Sequence, residues 1–136
     1  MHKAYSYRAA SNLFFKSLTT LFVKTGFTLQ QLEKITDGNT VALKELLGVF
    51  IKESALQIEQ LEFFLKNGDI DSVKHTAHKI KSALTLLGLD KFRSLAEKIE
   101  KTEEKNTLKL KSDIIALIDL YTQANKQLKI KLKELS

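Results

Sequence analysis

The chain contains no proline and only five glycines in 136 residues, and this scarcity of breakers constrains its fold more than any other feature. Proline ends helices and is excluded from central strands, while glycine supplies the left-handed residues of tight turns. A chain almost free of both has few places to reverse direction and is suited to long helices. Apolar residues recur at helical spacing through most of its length, and strand patterning is confined to Leu21-Phe22-Val23. The expected class is all-α.

The breaks that do occur divide the chain. Asn39 is a candidate N-cap for a helix running to about Lys66, in which Leu43, Leu46, Leu47, Phe50, Ile58, Leu61, Phe64 and Leu65 recur on one face. Such a helix is roughly 40 Å long at about 1.5 Å per residue. Asn67-Gly68 ends it, and Asp69 or Asp71 caps a second helix that stops near Gly88. Asp90 is expected to cap a third, with Phe92, Leu95, Ala96 and Ile99 as its buried stripe. A polar stretch from Lys101 to Asn106 forms or borders the next loop, and Thr107 opens the last helix, carrying Ile114, Leu117, Ile118, Tyr121, Leu128, Leu132 and Leu135. Four helices joined by short connections make an up-down-up-down antiparallel four-helix bundle, here assigned to residues 27–136. Residues 1–26 read as an N-terminal extension with a helical face of Tyr7, Ala10, Phe14, Leu18 and Leu21. Leu56 and Phe63 share an azimuth roughly opposite the core face of the long helix, where that extension is expected to cover them.

With 43% hydrophobic and 28% charged residues, the chain suffices for one core and is too short for two. The absence of cysteine excludes disulfides, thiolate metal sites and a cysteine nucleophile. The three histidines, His2, His75 and His78, do not form a metal-binding set, although His75 and His78 could hold an adventitious ion. No apolar run reaches the length of a membrane span and no secretory signal opens the chain, so a soluble, cytoplasmic protein that does not engage membranes is expected. The net charge of +6 comes from lysines spread over the helices. Neither arginine clusters nor interleaved exposed aromatics favour nucleic acid, and Lys126, Lys129, Lys131 and Lys133 fall on several faces of one helix.

The second helix carries the chemistry. At about 100° per residue, Val73, Thr76, Ile80, Ala83, Leu84 and Leu87 gather opposite His78, whereas Asp71, Lys74, His75, Lys81, Ser82 and Thr85 share its side. His78 should therefore face water. Neutral imidazole is a good nucleophile near neutral pH, and the ammonium of Lys81, one turn along, would offset negative charge arriving on the ring. Ser82 is small enough to let another protein approach, and its hydroxyl could hydrogen-bond an incoming oxygen. Leu86 is either an apolar contact for a docking protein or partly covered by a neighbouring helix. Gly88 either stops the helix or permits close packing. His75 is a rival nucleophile, but three residues later it meets His78 instead of a lysine.

The pattern Ala77-His78-x-x-Lys81-Ser82-Ala83 followed by Gly88 resembles the active helix of histidine-containing phosphotransfer (HPt) domains of bacterial multistep phosphorelays. The upstream stretch Leu29 to Gly38 is similar to the short segment that opens many such domains, and the resemblance runs from about Phe27 to Leu135. The family usually has glycine immediately after the motif lysine; here that residue is Ser82. The resemblance implies that His78 is the phosphoacceptor and Lys81 the charge stabiliser, with Lys74, His75, Lys79, Ser82, Thr85, Leu86 and Gly88 around them. It implies partners as well: response-regulator receiver domains that bring their own Mg²⁺, and a histidine kinase or hybrid kinase. A monomer with no cofactor of its own is expected. Self-phosphorylation is not, because there is no glycine-rich nucleotide site and Lys79 stands where a kinase's phosphoacceptor is typically followed by an acid. The alternative is a helical adaptor that binds a protein partner through its basic surface.

Overall fold

The computed structural model describes residues 27–105 and 107–136. They form five helices: α1 (Gln30–Ile35), α2 (Thr40–Lys66), α3 (Ile70–Leu86), α4 (Asp90–Lys101) and α5 (Leu108–Leu135). The face assigned to the N-terminal extension lies outside the described residues.

Helix boundaries follow local chemistry. Asn39 Oδ1 accepts the Ala42 N–H at 3.0 Å, Asp69 Oδ1 accepts the Ser72 N–H at 3.2 Å, and Thr107 Oγ1 accepts the Leu110 N–H at 3.1 Å. Each satisfies a donor that the first helical turn leaves without an internal partner. Of the two aspartates offered for α3, Asp69 is the cap. Asp90 is not a cap, contrary to expectation: Leu89 precedes α4 without a side-chain cap bond, and Asp90 is its first helical residue. There its charge still complements the helix dipole. Gly68 and Gly88 have φ of 68° and 74°, the left-handed geometry that ends α2 and α3 and reverses the chain within a few residues.

Short turns make α2, α3 and α4 antiparallel in succession. In the resulting ring α2 packs on α3 and α5, α3 on α4, and α4 on α5. Four long helices therefore form the bundle, and α1 is a short addition beside α2. The core draws on every long helix, with Leu47, Leu61, Val73, Ile80, Leu84, Ala96, Ile99, Ile114, Leu117 and Leu128 all fully buried. Leu29 and Leu32 bring α1 onto the same core, and the Thr28 N–H donates to Leu87 O at 3.1 Å, fastening this segment to the end of α3.

A polar clasp fixes α2 against α5. The Tyr121 hydroxyl donates to Gln57 Oε1 at 2.8 Å, while Asn125 Nδ2 donates to Ser54 Oγ at 2.8 Å and to Ile51 O at 3.0 Å. All four side chains are buried. A register shift between the helices would strand these groups without partners, at a cost of about 1–3 kcal/mol for each.

Candidate functional site

Helix α3 buries Ile70, Val73, Thr76, Ala77, Ile80 and Leu84, so the opposite azimuth is left to solvent. Thr76 joins that face because its hydroxyl is satisfied by Ser72 O at 2.9 Å. His78 lies on the open side, its side chain 60% exposed. The helical reading of this segment places the imidazole correctly.

Glu100, in the last turn of α4, joins two of the expected site residues. Its Oε2 is hydrogen-bonded to His78 Nδ1, and its Oε1 lies 2.6 Å from Lys81 Nζ. Oε1 is out of contact with solvent, so the ammonium is its charge partner. The contact with Lys81, followed by that with His78, holds the Glu100 carboxyl below the usual range, against the opposing effect of burial. An ionised carboxylate only accepts hydrogen bonds, so the proton of this contact belongs on Nδ1. In the neutral ring Nε2 then keeps its lone pair. The contact thus leaves Nε2 as the ring nitrogen with a free lone pair, a point the linear sequence leaves open.

Lys81, expected beside His78 on the open side of α3, is already paired in the structure. Its side chain is only 14% exposed and its ammonium is engaged with Glu100, because the neighbouring α4 packs along this edge of α3. Lys74 also departs from a fully solvated face: it is partly buried, and its Nζ donates to Thr102 O at 2.9 Å, tying α3 to the chain leaving α4. Thr85 is partly buried too and accepts from Arg93 Nη1 at 3.1 Å. His75, Lys79 and Ser82 are exposed. Leu86 is partly covered and packs against the core, which decides between the two readings of that residue. Gly88 serves as the helix stop through its positive φ.

Sequence reasoning missed Glu100 and Arg93. A signal for Glu100 was available: in an antiparallel hairpin turning at Gly88, His78 and Glu100 stand at similar distances from the turn, and Glu100 adjoins the buried Ile99 at the edge of the apolar stripe. Among the described residues, no group of three or more His, Asp or Glu is placed to hold a metal ion, and no helix is long and apolar enough to cross a membrane.

An exposed histidine at mid-helix, backed by a carboxylate and a lysine within a helical bundle, agrees with a comparison of the sequence with known families. The family model of the Hpt domain matches residues 45–135. The chain belongs to the Hpt domain family. The match takes in most of α2 and all of α3, α4 and α5, so it contains every residue of the histidine site. No curated protein and no solved structure matches the chain. Hpt domains are phosphocarriers in two-component phosphorelays and interact there with receiver domains and kinases; this Hpt domain has the helical-bundle fold of that family.

Proposed function

We propose that this Hpt domain accepts a phosphoryl group on His78 Nε2 from the aspartyl phosphate of one receiver domain and passes it to the aspartate of another. The observation that carries this reading is the exposed ring whose Nδ1 is engaged by Glu100, so that Nε2 is the nitrogen left with a lone pair.

In the accepting step the Nε2 lone pair attacks phosphorus, an N–P bond forms, the P–O bond to the donor aspartate breaks, and the carboxylate leaves with the electron pair. The proton on Nδ1 stays where it is, so the ring becomes a phosphorylated imidazolium whose positive charge faces the Glu100 carboxylate. Onward transfer reverses these changes on a second aspartate. Phosphoryl transfer needs chiefly positioning and charge neutralisation, and Glu100 serves the first by fixing the ring and its tautomer. Lys81, one turn from His78, is the cation nearest at hand for the phosphoryl oxygens, reached by exchanging its contact with Glu100. Mg²⁺ belongs to the receivers in this scheme. Lys74, Lys79, Lys81 and Arg93 supply a positive edge toward acidic receiver pockets, and a small Ser82 leaves room for their approach.

Incubation with a phosphorylated receiver domain is expected to label the chain with an acid-labile, alkali-stable phosphoryl group. His78→Gln should abolish labelling with the circular dichroism spectrum unchanged. Equal labelling of that variant would overturn the assignment. Tight binding of a receiver that is indifferent to phosphate and to His78→Ala would favour an adaptor instead.

A further inference from the structure

Helix α2 turns a second apolar stripe away from the bundle. Val41, Val49, Leu56 and Phe63 are each at least half exposed, and the last three recur every seven residues, the spacing of a single heptad position. Beside them Glu45, Lys52, Glu59 and Lys66 recur at the same interval with alternating sign. None of these four makes an ion pair within the described residues. Gly48 lies on the same face in mid-helix, where it costs about 1 kcal/mol relative to alanine. Among the described residues a Cβ there would meet nothing within 4 Å, so packing among them does not call for the glycine.

We infer that this face is an interface between two copies of the chain, their α2 helices antiparallel about a two-fold axis passing between Ala55 and Leu56. The charge pattern selects this occupant. Reversed end for end, the series Glu45, Lys52, Glu59, Lys66 becomes its own complement: Glu45 meets the second copy's Lys66, and Lys52 meets its Glu59. Both pairs occur twice by symmetry. The same register sets Phe63 over the second copy's Gly48, where the missing side chain leaves space for a ring, and Leu56 against its Ala55. A parallel pairing would bring each charge beside its own copy. Residues 1–26 carry Lys3, Arg8, Lys16 and Lys24 and no acidic residue, so they could pair with Glu45 and Glu59 but not with Lys52 and Lys66, whereas a second copy pairs all four.

The seam from Val49 to Phe63 is about 20 Å long, which puts the contact at the small end of specific interfaces. It shares no residue with the histidine site.

Sedimentation equilibrium of the full chain from about 1 μM to about 1 mM should show a monomer–dimer equilibrium within that range. Phe63→Lys should abolish the dimer while leaving helicity unchanged, since the ring is exposed. Lys52→Glu and Glu59→Lys should each weaken association about tenfold, and the two together should restore it, because the swap keeps the pairs complementary. A monomer at every concentration would overturn the inference, including one whose stripe proves to be covered by residues 1–26. A dimer that tolerates Phe63→Lys, or fails to recover in the double charge swap, would overturn it equally.

Discussion

Glu100 accepts the Nδ1 proton of His78 across the α3–α4 interface, so the tautomer of a ring on one helix is set by a carboxylate on the next. Glu100→Gln keeps an oxygen that can accept the same proton, whereas Glu100→Ala removes the acceptor. The alanine variant should accept phosphate from a phosphorylated receiver about tenfold more slowly, the equivalent of losing one charge-assisted hydrogen bond of about 1.5 kcal/mol. The glutamine variant should fall between it and the parent. Equal rates for all three, in rapid-quench measurements at saturating receiver, would show that the contact has no part in the transfer.

Lys81 is the largest influence holding the Glu100 carboxyl low. Lys81→Ala should raise the Glu100 pKa, as read by carbon-13 NMR titration of the carboxyl resonance, and should shorten the lifetime of the phosphorylated protein by removing the nearest cation. An unmoved titration would mean that the ion pair does not persist in solution.

Asp119 gives the fold a pH dependence. It is 3% exposed, and burial, followed by the charge of Glu62, raises its pKa from 3.8 to about 6. A carboxyl whose pKa is higher folded than unfolded binds more protons in the folded state between those two values, so stability falls as pH rises through that window. The penalty is complete above it, at about 3 kcal/mol for a shift of about two units. Asp119→Asn should therefore unfold in urea with a higher midpoint than the parent at pH 7.5, and the difference should vanish near the unfolded value. A constant difference at every pH would contradict this account.

The Tyr121–Gln57 bond offers a separate check on the clasp between α2 and α5. Tyr121→Phe should cost about 1–2 kcal/mol, because Gln57 Oε1 stays buried after its donor is gone. Replacing Gln57 by Met in the same chain should recover part of that loss, so that a double-mutant cycle measured by denaturant unfolding shows coupling.

The fold was largely legible because its signals are local. Asn39, Asp69 and Thr107 each cap a helix beside an apolar periodicity, and Gly68 and Gly88 end helices where no side chain favours the backbone geometry. Asp90 misled because an acid in the first turn and an acid at the cap look alike in one dimension. The exposure of His78 followed from the azimuth of its own helix alone. Its hydrogen-bond partner did not, because the position of Glu100 depends on how two helices pack. For the same reason Lys81 and Lys74 read as solvated when α4 and the chain after it hold their ammonium groups. The clasp of Gln57, Ser54, Tyr121 and Asn125 was missed because polar residues inside an apolar stripe look like interruptions until their partners on another helix are known.

The bond from Lys74 to Thr102 O lies just beyond the turn of α4 that carries Glu100. It ties the far end of the hairpin together, next to the turn that sets Glu100 beside the ring. A binding protein that pried this corner apart is expected to loosen Glu100 from the ring without touching the histidine.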